Sequence, residues 1–402
     1  MPRTVPAAST PQMSPQQRAA TVNAQQRRAV LGSSVFMKQA IASGTITPTS
    51  TPILYIPPRF VGLGMRFTIE ITATITNSGS QTLNLTQFGA ANLLGQVTFV
   101  DLNNYTRVQT IGSHLACLAS AKRRRPYGAT ADWNQVATNN RSQMLNVPPA
   151  TWPVFTAPPT IATSSTGTVR GVFELPLAYS NDDLRGAVYF NVVNSTAQIG
   201  LTWNPNPVSA GTADDTYAIY SGAAGAAGSI TSLTYTIYQE YLDQLPTAQG
   251  RVILPVLDLS TVYELKNTNF TAISANQDFP ISYANFRDFL STFVIYNSTG
   301  AAGGRNTGSD INYLALQSAN FTNLFKIDPL LAAQEAREHV PYDLPAGTYY
   351  FPSRRRPIST TQYGNMELII NASTANNATA QVFWEDFALQ NTLVTAGSLA
   401  AS

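Results

Sequence analysis

The sequence predicts an all-β fold of two consecutive sandwiches, with short helices and an N-terminal helical arm. Three observations support this fold class. The 402 residues are enough for two domains, the clearest segments alternate apolar and polar residues, and short motifs recur in the same order in both halves. Many short strands separated by Pro-, Gly- and Asn-rich loops are typical of a β-sandwich or a β-barrel.

The composition is apolar enough for a packed core but unusually poor in charge. Apolar residues make up 44% of the chain and charged residues only 11%, against a typical charged share of about a quarter. Neutral polar residues fill the difference, and such side chains are buried between subunits at a small desolvation cost. This composition indicates a β-rich protein with large contacts between subunits.

Basic residues are concentrated near the N-terminus. The net charge is +2, and no acidic residue precedes Glu70, whereas several cations do: Arg3, Arg18, Arg27, Arg28, Lys38, Arg59 and Arg66. A basic arm on a near-neutral body favours an anionic partner, either lipid headgroups or nucleic acid. The alternative is an arm that is merely solvated.

Two helices are predicted from their capping residues. The segment Ser14–Gln17 has the pattern of a capping box with Pro at the first helical position, and Gly32 marks the end of that helix. Its apolar stripe is thin and lies beside three arginines, so the helix either lies on a membrane surface or docks on the body. Asp328 and Pro329 begin a second helix over residues 330–338.

Strands are predicted along the rest of the chain. Alternation is strongest from Phe67 to Thr76, and turn residues at 77–80 followed by a second alternating stretch, 82–86, predict a hairpin. A second hairpin is predicted over 97–111. The other predicted strands are 188–193, 199–203, 233–241, 252–254, 279–283, 289–296, 349–351, 367–370 and 381–387.

A linker is placed at residues 245–250, Leu-Pro-Thr-Ala-Gln-Gly. We therefore divide the chain into an arm (1–50), a first sandwich (51–246) and a second sandwich (247–402). The halves echo each other in order, as in Tyr-Gln-Glu-Tyr near the end of the first and Phe-Trp-Glu-Asp near the end of the second. This repetition indicates a duplicated sandwich.

No catalytic, metal or cofactor site is predicted. His114 and His339 lack the spacing of metal ligands, and Cys117 lies in an apolar run that makes a thiol inert. The glycine-rich stretch 300–304 lacks the Gly-Lys-Ser/Thr of a phosphate-binding loop. Acid pairs such as Asp182 and Asp183 are expected to be solvated rather than hydrolytic.

Targeting and cross-linking features are also not expected. One cysteine cannot form an intrachain disulfide. No apolar run approaches the roughly 18 residues needed to span a bilayer. The first 17 residues lack the apolar core of a signal peptide, so synthesis in a cytoplasm is expected.

Two basic runs keep two interpretations open. They comprise Lys122, Arg123, Arg124 and Arg125, and Arg354, Arg355 and Arg356, and each ends at a Pro. Neither run is interleaved with aromatic residues, as single-strand nucleic-acid binders are. Contact with nucleic acid and inter-subunit pairing with carboxylates are both compatible with them.

Several stretches resemble the major capsid proteins of tectiviruses, tailless bacteriophages with a membrane beneath the shell. They follow the family's order over about residues 60–395: Phe88–Leu93, Leu175–Ser180, Gly186–Val188, Tyr241–Pro246, Leu257–Thr261, Asp310–Leu314, Ala319–Phe321 and Gln362–Asn365. The sequence departs from the family at 125–170, 205–230 and 297–309.

The resemblance implies two consecutive eight-stranded jelly-roll sandwiches, a double jelly roll, standing upright in the shell. It implies a homotrimeric, pseudo-hexagonal capsomer that tiles the icosahedral capsid of a virion around an internal membrane and a DNA genome. The arm, with Arg18, Arg27, Arg28 and Lys38, is then expected to face the membrane.

The expected partners are other copies of the chain, membrane lipids, and penton, spike or other minor capsid proteins, without sequence-specific nucleic acid. Synthesis would take place in the cytoplasm of a bacterial host. Two rival functions are a carbohydrate-binding module using Trp133, Trp152 and Trp203, and a sandwich glycosidase. The tryptophans are too scattered for an evident sugar platform and no close carboxylate pair is apparent, so a non-enzymatic coat subunit is favoured.

Overall fold

A computed structural model describes most of the chain. The described residues are 14–46, 53–59, 62–86, 88–123, 155–191, 197–211, 217–297, 311–319, 324–340, 344, 347–353, 357–373 and 378–389. Their helices are α1 (Pro15–Ser33), α2 (Gly112–Arg123), α3 (Val256–Leu259), α4 (Pro329–His339) and α5 (Thr360–Tyr363), with a 3-10 turn at Gly89–Leu93.

The strands, numbered along the chain, form five sheets within these residues. Sheet A contains β1 (Val35–Ile46), β3 (Leu63–Asn77), β7 (Phe155–Thr156), β9 (Thr166–Pro176), β10 (Val188–Tyr189) and β14 (Gly228–Asp243). Sheet B contains β2 (Ile53–Tyr55), β5 (Leu94–Val100), β6 (Thr106–Thr110), β11 (Gln198–Trp203), β17 (Thr261–Ile273), β19 (Arg287–Asn297), β22 (Thr348–Pro352), β23 (Ile358–Ser359) and β25 (Ala378–Leu389). Sheet C contains β4 (Leu83–Leu85), β8 (Thr160–Ile161), β12 (Val208–Ala210) and β13 (Tyr220–Gly222). Sheet D contains β15 (Thr247–Ala248) and β16 (Arg251–Val252). Sheet E contains β18 (Asp278–Ser282), β20 (Ile311–Ser318), β21 (Phe325–Ile327) and β24 (Met366–Ala372).

Sheet B joins the two halves of the chain. Its strand order is β2-β11-β5-β6-β17-β25-β19-β22, and β6 and β17 run parallel where Val108 lies opposite Leu265. In the second half, the strands β17, β25, β19 and β22 form one four-stranded layer and sheet E forms the other. The expected all-β architecture is confirmed, and the halves share a hydrogen-bonded sheet.

The second-half layer of sheet B is buried on both faces. On one face Val294 and Val382 pack in the core of the second sandwich, and on the other Phe293 and Phe383 pack in the core of the first. Burial on both faces explains why residues 289–296 are almost continuously apolar rather than alternating. The contact between the two halves, which we call the seam, is therefore part of the core of the first sandwich.

Most predicted elements are present, with one wrong pairing. The two predicted helices are confirmed as α1 and α4, and the hairpin over 97–111 is confirmed by antiparallel pairing of β5 with β6. The hairpin predicted between 67–76 and 82–86 is wrong, because β4 pairs with β8 and β13 in sheet C while β3 pairs with β9 and β14. The turn residues after β3 carry the chain to a different sheet.

Five elements of eight residues or more were not predicted from the sequence. They are β1, α2, β9, β17 and β20. The proposed linker contains β15, which forms a short hairpin with β16 directly after the linker. The division into domains at residues 246 and 247 stays a prediction.

Candidate assembly surfaces

The arm helix α1 docks on the body through its buried Asn23. The side chain of Ser14 accepts a hydrogen bond from the Gln17 backbone N–H, which completes the predicted cap. The Asn23 Nδ2 donates to Asp258 Oδ1 at 2.8 Å, and its Oδ1 accepts from the Leu257 N–H at 3.0 Å. Both donor and acceptor of a buried amide are thus satisfied by α3, the first helix of the second half.

Two further contacts hold the same face of α1. Arg27 Nη1 lies 3.5 Å from Asp258 Oδ2. Val30 is buried in a small apolar cluster with Leu63, Leu242 and other residues of the first half. The arm helix is therefore attached to both halves of the chain.

The opposite face of α1 carries exposed cations. At about 100° per residue, Arg18, Val22 and Arg28 lie on the side of the helix away from Asn23. All three are exposed, and neither arginine has an ion-pair partner among the residues that the structure describes. Of the arm cations predicted to face a membrane, these two remain available.

Lys38, the fourth arm cation, is paired within the chain. Strand β1 lies at the edge of sheet A beside β14, where Lys38 Nζ is 3.0 Å from Glu240 Oε1. Glu240 also accepts hydrogen bonds from Arg66 and from Thr68 Oγ1. Burial acts to raise the pKa of Glu240, but these donors outweigh it and hold the pKa below its usual value.

The outer face of sheet A is nearly neutral. At one end Glu70 pairs with Arg170, and Arg66 Nη1 lies 3.7 Å from Glu174. The rest of the face presents hydroxyl groups in register, which we call the threonine wall: Thr72, Thr74, Thr76, Thr166, Thr168 and Thr234. Paired charges and hydroxyls make this face suitable for burial against another polar surface.

The first basic run is partly engaged inside the molecule. Lys122 Nζ lies 3.1 Å from Glu385 Oε1, donates to Tyr263 Oη at 2.8 Å, and lies over the rings of Tyr179 and Tyr263. Arg123 ends α2. The remaining candidates, Arg124, Arg125, Arg354, Arg355 and Arg356, lie outside the described residues.

Comparison with known proteins connects this architecture to viral shells. The profile described as "P3 major capsid protein N-terminal" matches residues 8–245, and that described as "P3 major capsid protein C-terminal" matches residues 260–401. The chain is 35% identical to the major capsid protein P3 of Enterobacteria phage PRD1 over 390 residues, or 96% of each chain.

The chain belongs to the P3 major capsid protein family. It is thus a structural capsid protein of the virion and not an enzyme, as the sequence predicted. The resemblance to tectivirus capsid proteins is confirmed.

Solved structures support the fold of this family member. The crystal structure of the STIV major capsid protein matches 90% of this chain and 99% of its own with a TM-score of 0.60 at 12% identity. The atomic structure of Sulfolobus Turreted Icosahedral Virus contains a chain that matches 88% of this one and 91% of its own, with a TM-score of 0.58 at 13% identity. The predicted double jelly roll is confirmed by this likeness.

The histidine, cysteine and aspartate side chains named as catalytic candidates in the sequence lie in packed or ion-paired surroundings. His114 stacks on Phe293 at 5.3 Å, and burial lowers the pKa of its imidazole to about 4. Cys117 is buried, which raises the pKa of its thiol. Asp183 is paired with Arg185 at 2.6 Å. Among the described residues, no group of three or more His, Cys, Asp or Glu side chains is placed to hold a metal.

The alternative of a sugar-binding platform loses one of its three tryptophans. Trp203 lies in β11 and is buried in the first core, and Trp133 and Trp152 fall outside the described residues.

No described helix is long and apolar enough to cross a bilayer.

Proposed function

We propose that this capsid protein assembles as a homotrimer and that its arm binds anionic lipid through Arg18 and Arg28. The observation that carries the lipid proposal is the division of α1 into two faces. Asn23, Arg27 and Val30 hold the helix on the body, whereas the two arginines and Val22 point away from it. Exposed cations beside an apolar side chain suit the headgroup region of a membrane.

The arm proposal is tested by co-sedimentation of the full-length chain with vesicles of anionic or neutral lipid. Arg18→Gln with Arg28→Gln is expected to abolish binding to anionic vesicles, and salt is expected to weaken the binding of the unchanged protein. Arg27→Gln is the matched control, because it removes a positive charge from the docked face. Unchanged binding of the double variant to anionic vesicles contradicts the proposal. If the unchanged protein binds random DNA as tightly as it binds anionic vesicles, nucleic acid is favoured as the anionic partner.

The trimer proposal rests on the low charge of the body and on the threonine wall. Light scattering is expected to give a mass of about 130 kDa, three times the 43.3 kDa of one chain. Thr74→Lys places an ammonium on the wall opposite Thr168. It is expected to reduce trimer formation or the assembly of trimers into shells, because a buried unpaired charge is costly.

Gln109→Lys is the matched control for the wall, since Gln109 is exposed on β6. Normal trimers and shells in the Thr74 variant would exclude the wall from assembly.

Three further expectations belong to the same proposal. The chain divides into the arm (1–50) and two jelly rolls (51–246 and 247–402). It contacts penton, spike or other minor capsid proteins, and it is synthesised in the cytoplasm of a bacterial host.

A further inference from the structure

A partly buried cluster of charges connects the two halves through one tyrosine. We call it the Tyr105 cluster, and it contains Tyr105, Glu264, Lys266, Arg287 and Asp386. Tyr105 comes from the loop between β5 and β6 in the first half, and the other members come from β17, β19 and β25 in the second. Its hydroxyl donates to Glu264 at 2.6 Å and accepts from Lys266 at 2.7 Å and from Arg287 at 3.2 Å.

Two acids of this cluster face each other across neighbouring strands. Glu264 of β17 is directly opposite Asp386 of β25, and both side chains are buried. Like charges in that arrangement destabilise a sheet. Arg287 Nη1 lies 2.7 Å from Glu264 but 3.6 Å from Asp386, whose Oδ1 has no hydrogen-bond partner among the described residues. The geometry therefore suits a protonated Asp386.

We propose that Asp386 and Arg287 form a proton-operated switch that sets how firmly Tyr105 of the first sandwich is held by the second. When the Asp386 carboxyl releases its proton to water, a second buried anion appears beside Arg287. A hydrogen bond needs a separation of about 2.7–3.2 Å, so the guanidinium must move towards Asp386 to satisfy it. That movement draws Arg287 away from the Tyr105 hydroxyl and loosens the loop that follows β5.

The groups facing Asp386 support a proton exchange near neutral pH. Burial and the opposing charge of Glu264 raise the pKa of Asp386 to about 7, against the lowering effects of Arg287 and Lys266. Glu385, its neighbour on β25, also raises it. With that pKa, the ionised fraction rises from roughly one-tenth at pH 6 to roughly nine-tenths at pH 8.

Hydrogen exchange of the full-length protein tests the switch. Backbone amides of residues 101–108 are expected to exchange several-fold faster at pH 8 than at pH 6, after correction for intrinsic exchange rates. Asp386→Asn mimics the protonated carboxyl and is expected to keep the pH 6 protection at pH 8. The matched control Asp288→Asn alters a half-buried acid on β19 outside the cluster and is expected to retain the pH dependence.

Tyr105→Phe provides a second, independent variant, because it removes the hydroxyl that connects the halves. It is expected to give the fast exchange at both pH values. If either Asp386→Asn or Tyr105→Phe retains the pH dependence of the unchanged protein in residues 101–108, the switch is refuted.

Discussion

The ion pair between Lys122 and Glu385 gives a sharply asymmetric prediction. Glu385 is fully buried and receives hydrogen bonds from Tyr263 at 2.7 Å and from Ser291 at 2.5 Å, in addition to the ammonium of Lys122 at 3.1 Å. The Lys122 side chain is 27% exposed and can be partly rehydrated, whereas that of Glu385 is 4% exposed. Removing the lysine should therefore destabilise the fold more than neutralising the acid.

The magnitudes follow from that difference in burial. Lys122→Met leaves a buried carboxylate unpaired, which costs about 3–5 kcal/mol of unfolding free energy at neutral pH if the group stays ionised. Glu385→Gln keeps hydrogen-bonding capacity towards both hydroxyls and is expected to cost about 1–3 kcal/mol. The double variant is expected to be more stable than the sum of the single losses predicts, because neither charge is left without its partner.

The pH dependence separates the two variants further. In the unchanged protein, burial acts to raise the pKa of Glu385, but Lys122 and the hydroxyls of Ser291 and Tyr263 outweigh it and lower the pKa. A lowered acid pKa stabilises the fold at neutral pH, and that stability is lost in acid. In Lys122→Met the balance reverses and burial raises the pKa, so the variant regains stability as the pH falls. Denaturant unfolding at several pH values measures this; equal losses for the two single variants, or a pH-independent loss for Lys122→Met, would refute the reasoning.

Four other substitutions have expected outcomes that follow directly from local geometry. Gly112→Ala places a Cβ 2.2 Å from a backbone oxygen and is expected to lower the melting temperature, whereas Gly32→Ala, with nothing within 4 Å, is expected to leave it unchanged or raise it slightly. Burial lowers the pKa of His114 to about 4, against 6.5 in the unfolded chain. The neutral imidazole therefore contributes about 3 kcal/mol to the free energy of unfolding above pH 6.5, and this contribution is lost as the pH falls towards 4. His114→Gln is expected to make the free energy of unfolding depend less steeply on pH in this range, measured by acid unfolding. Asn23→Ala removes the donor to Asp258 Oδ1 and the acceptor of the Leu257 N–H, while Arg27 remains beside Asp258. It is expected to cost about 1–3 kcal/mol in the docking of the arm, measured as faster limited proteolysis after Arg18.

Local patterns predicted several of the elements whose faces differ in polarity, although β9 alternates in the same way and was missed. The strand containing Phe67–Thr76 has one buried face and one hydroxyl-bearing face, so its alternation was visible in the sequence. The arm helix was equally visible because Ser14 and Gln17 cap it through neighbours in the chain. Which face of that helix docks was not predictable, since Asn23 is satisfied by residues more than 230 positions away.

Two of the elements that the sequence analysis missed, β17 and α2, lie where distant residues determine burial. Strand β17 carries Glu264 and Lys266 at positions that look solvated, yet Glu264 is fully buried, and both side chains contact Tyr105 about 160 positions away. Helix α2 is buried on most sides within the core of the first sandwich, so it has no polar stripe from which a helical period could be recognised. The Tyr105 cluster had no sequence signal beyond acids placed within otherwise apolar strands.

The shared core has a direct consequence for the proposed division of the chain. Residues 247–402 expressed alone would expose Phe293, Phe383 and Tyr350, which pack against the first half. Each such side chain loses about 1.5–3 kcal/mol of burial free energy, so the loss approaches the whole stability of a typical domain of about 5–15 kcal/mol. We therefore expect the isolated second half to aggregate or to bind a hydrophobic dye, and co-expression with residues 1–246 to restore its solubility. A monomeric second half with a cooperative unfolding transition and no dye binding would show that the seam is an ordinary interface between two independent sandwiches rather than one continuous core.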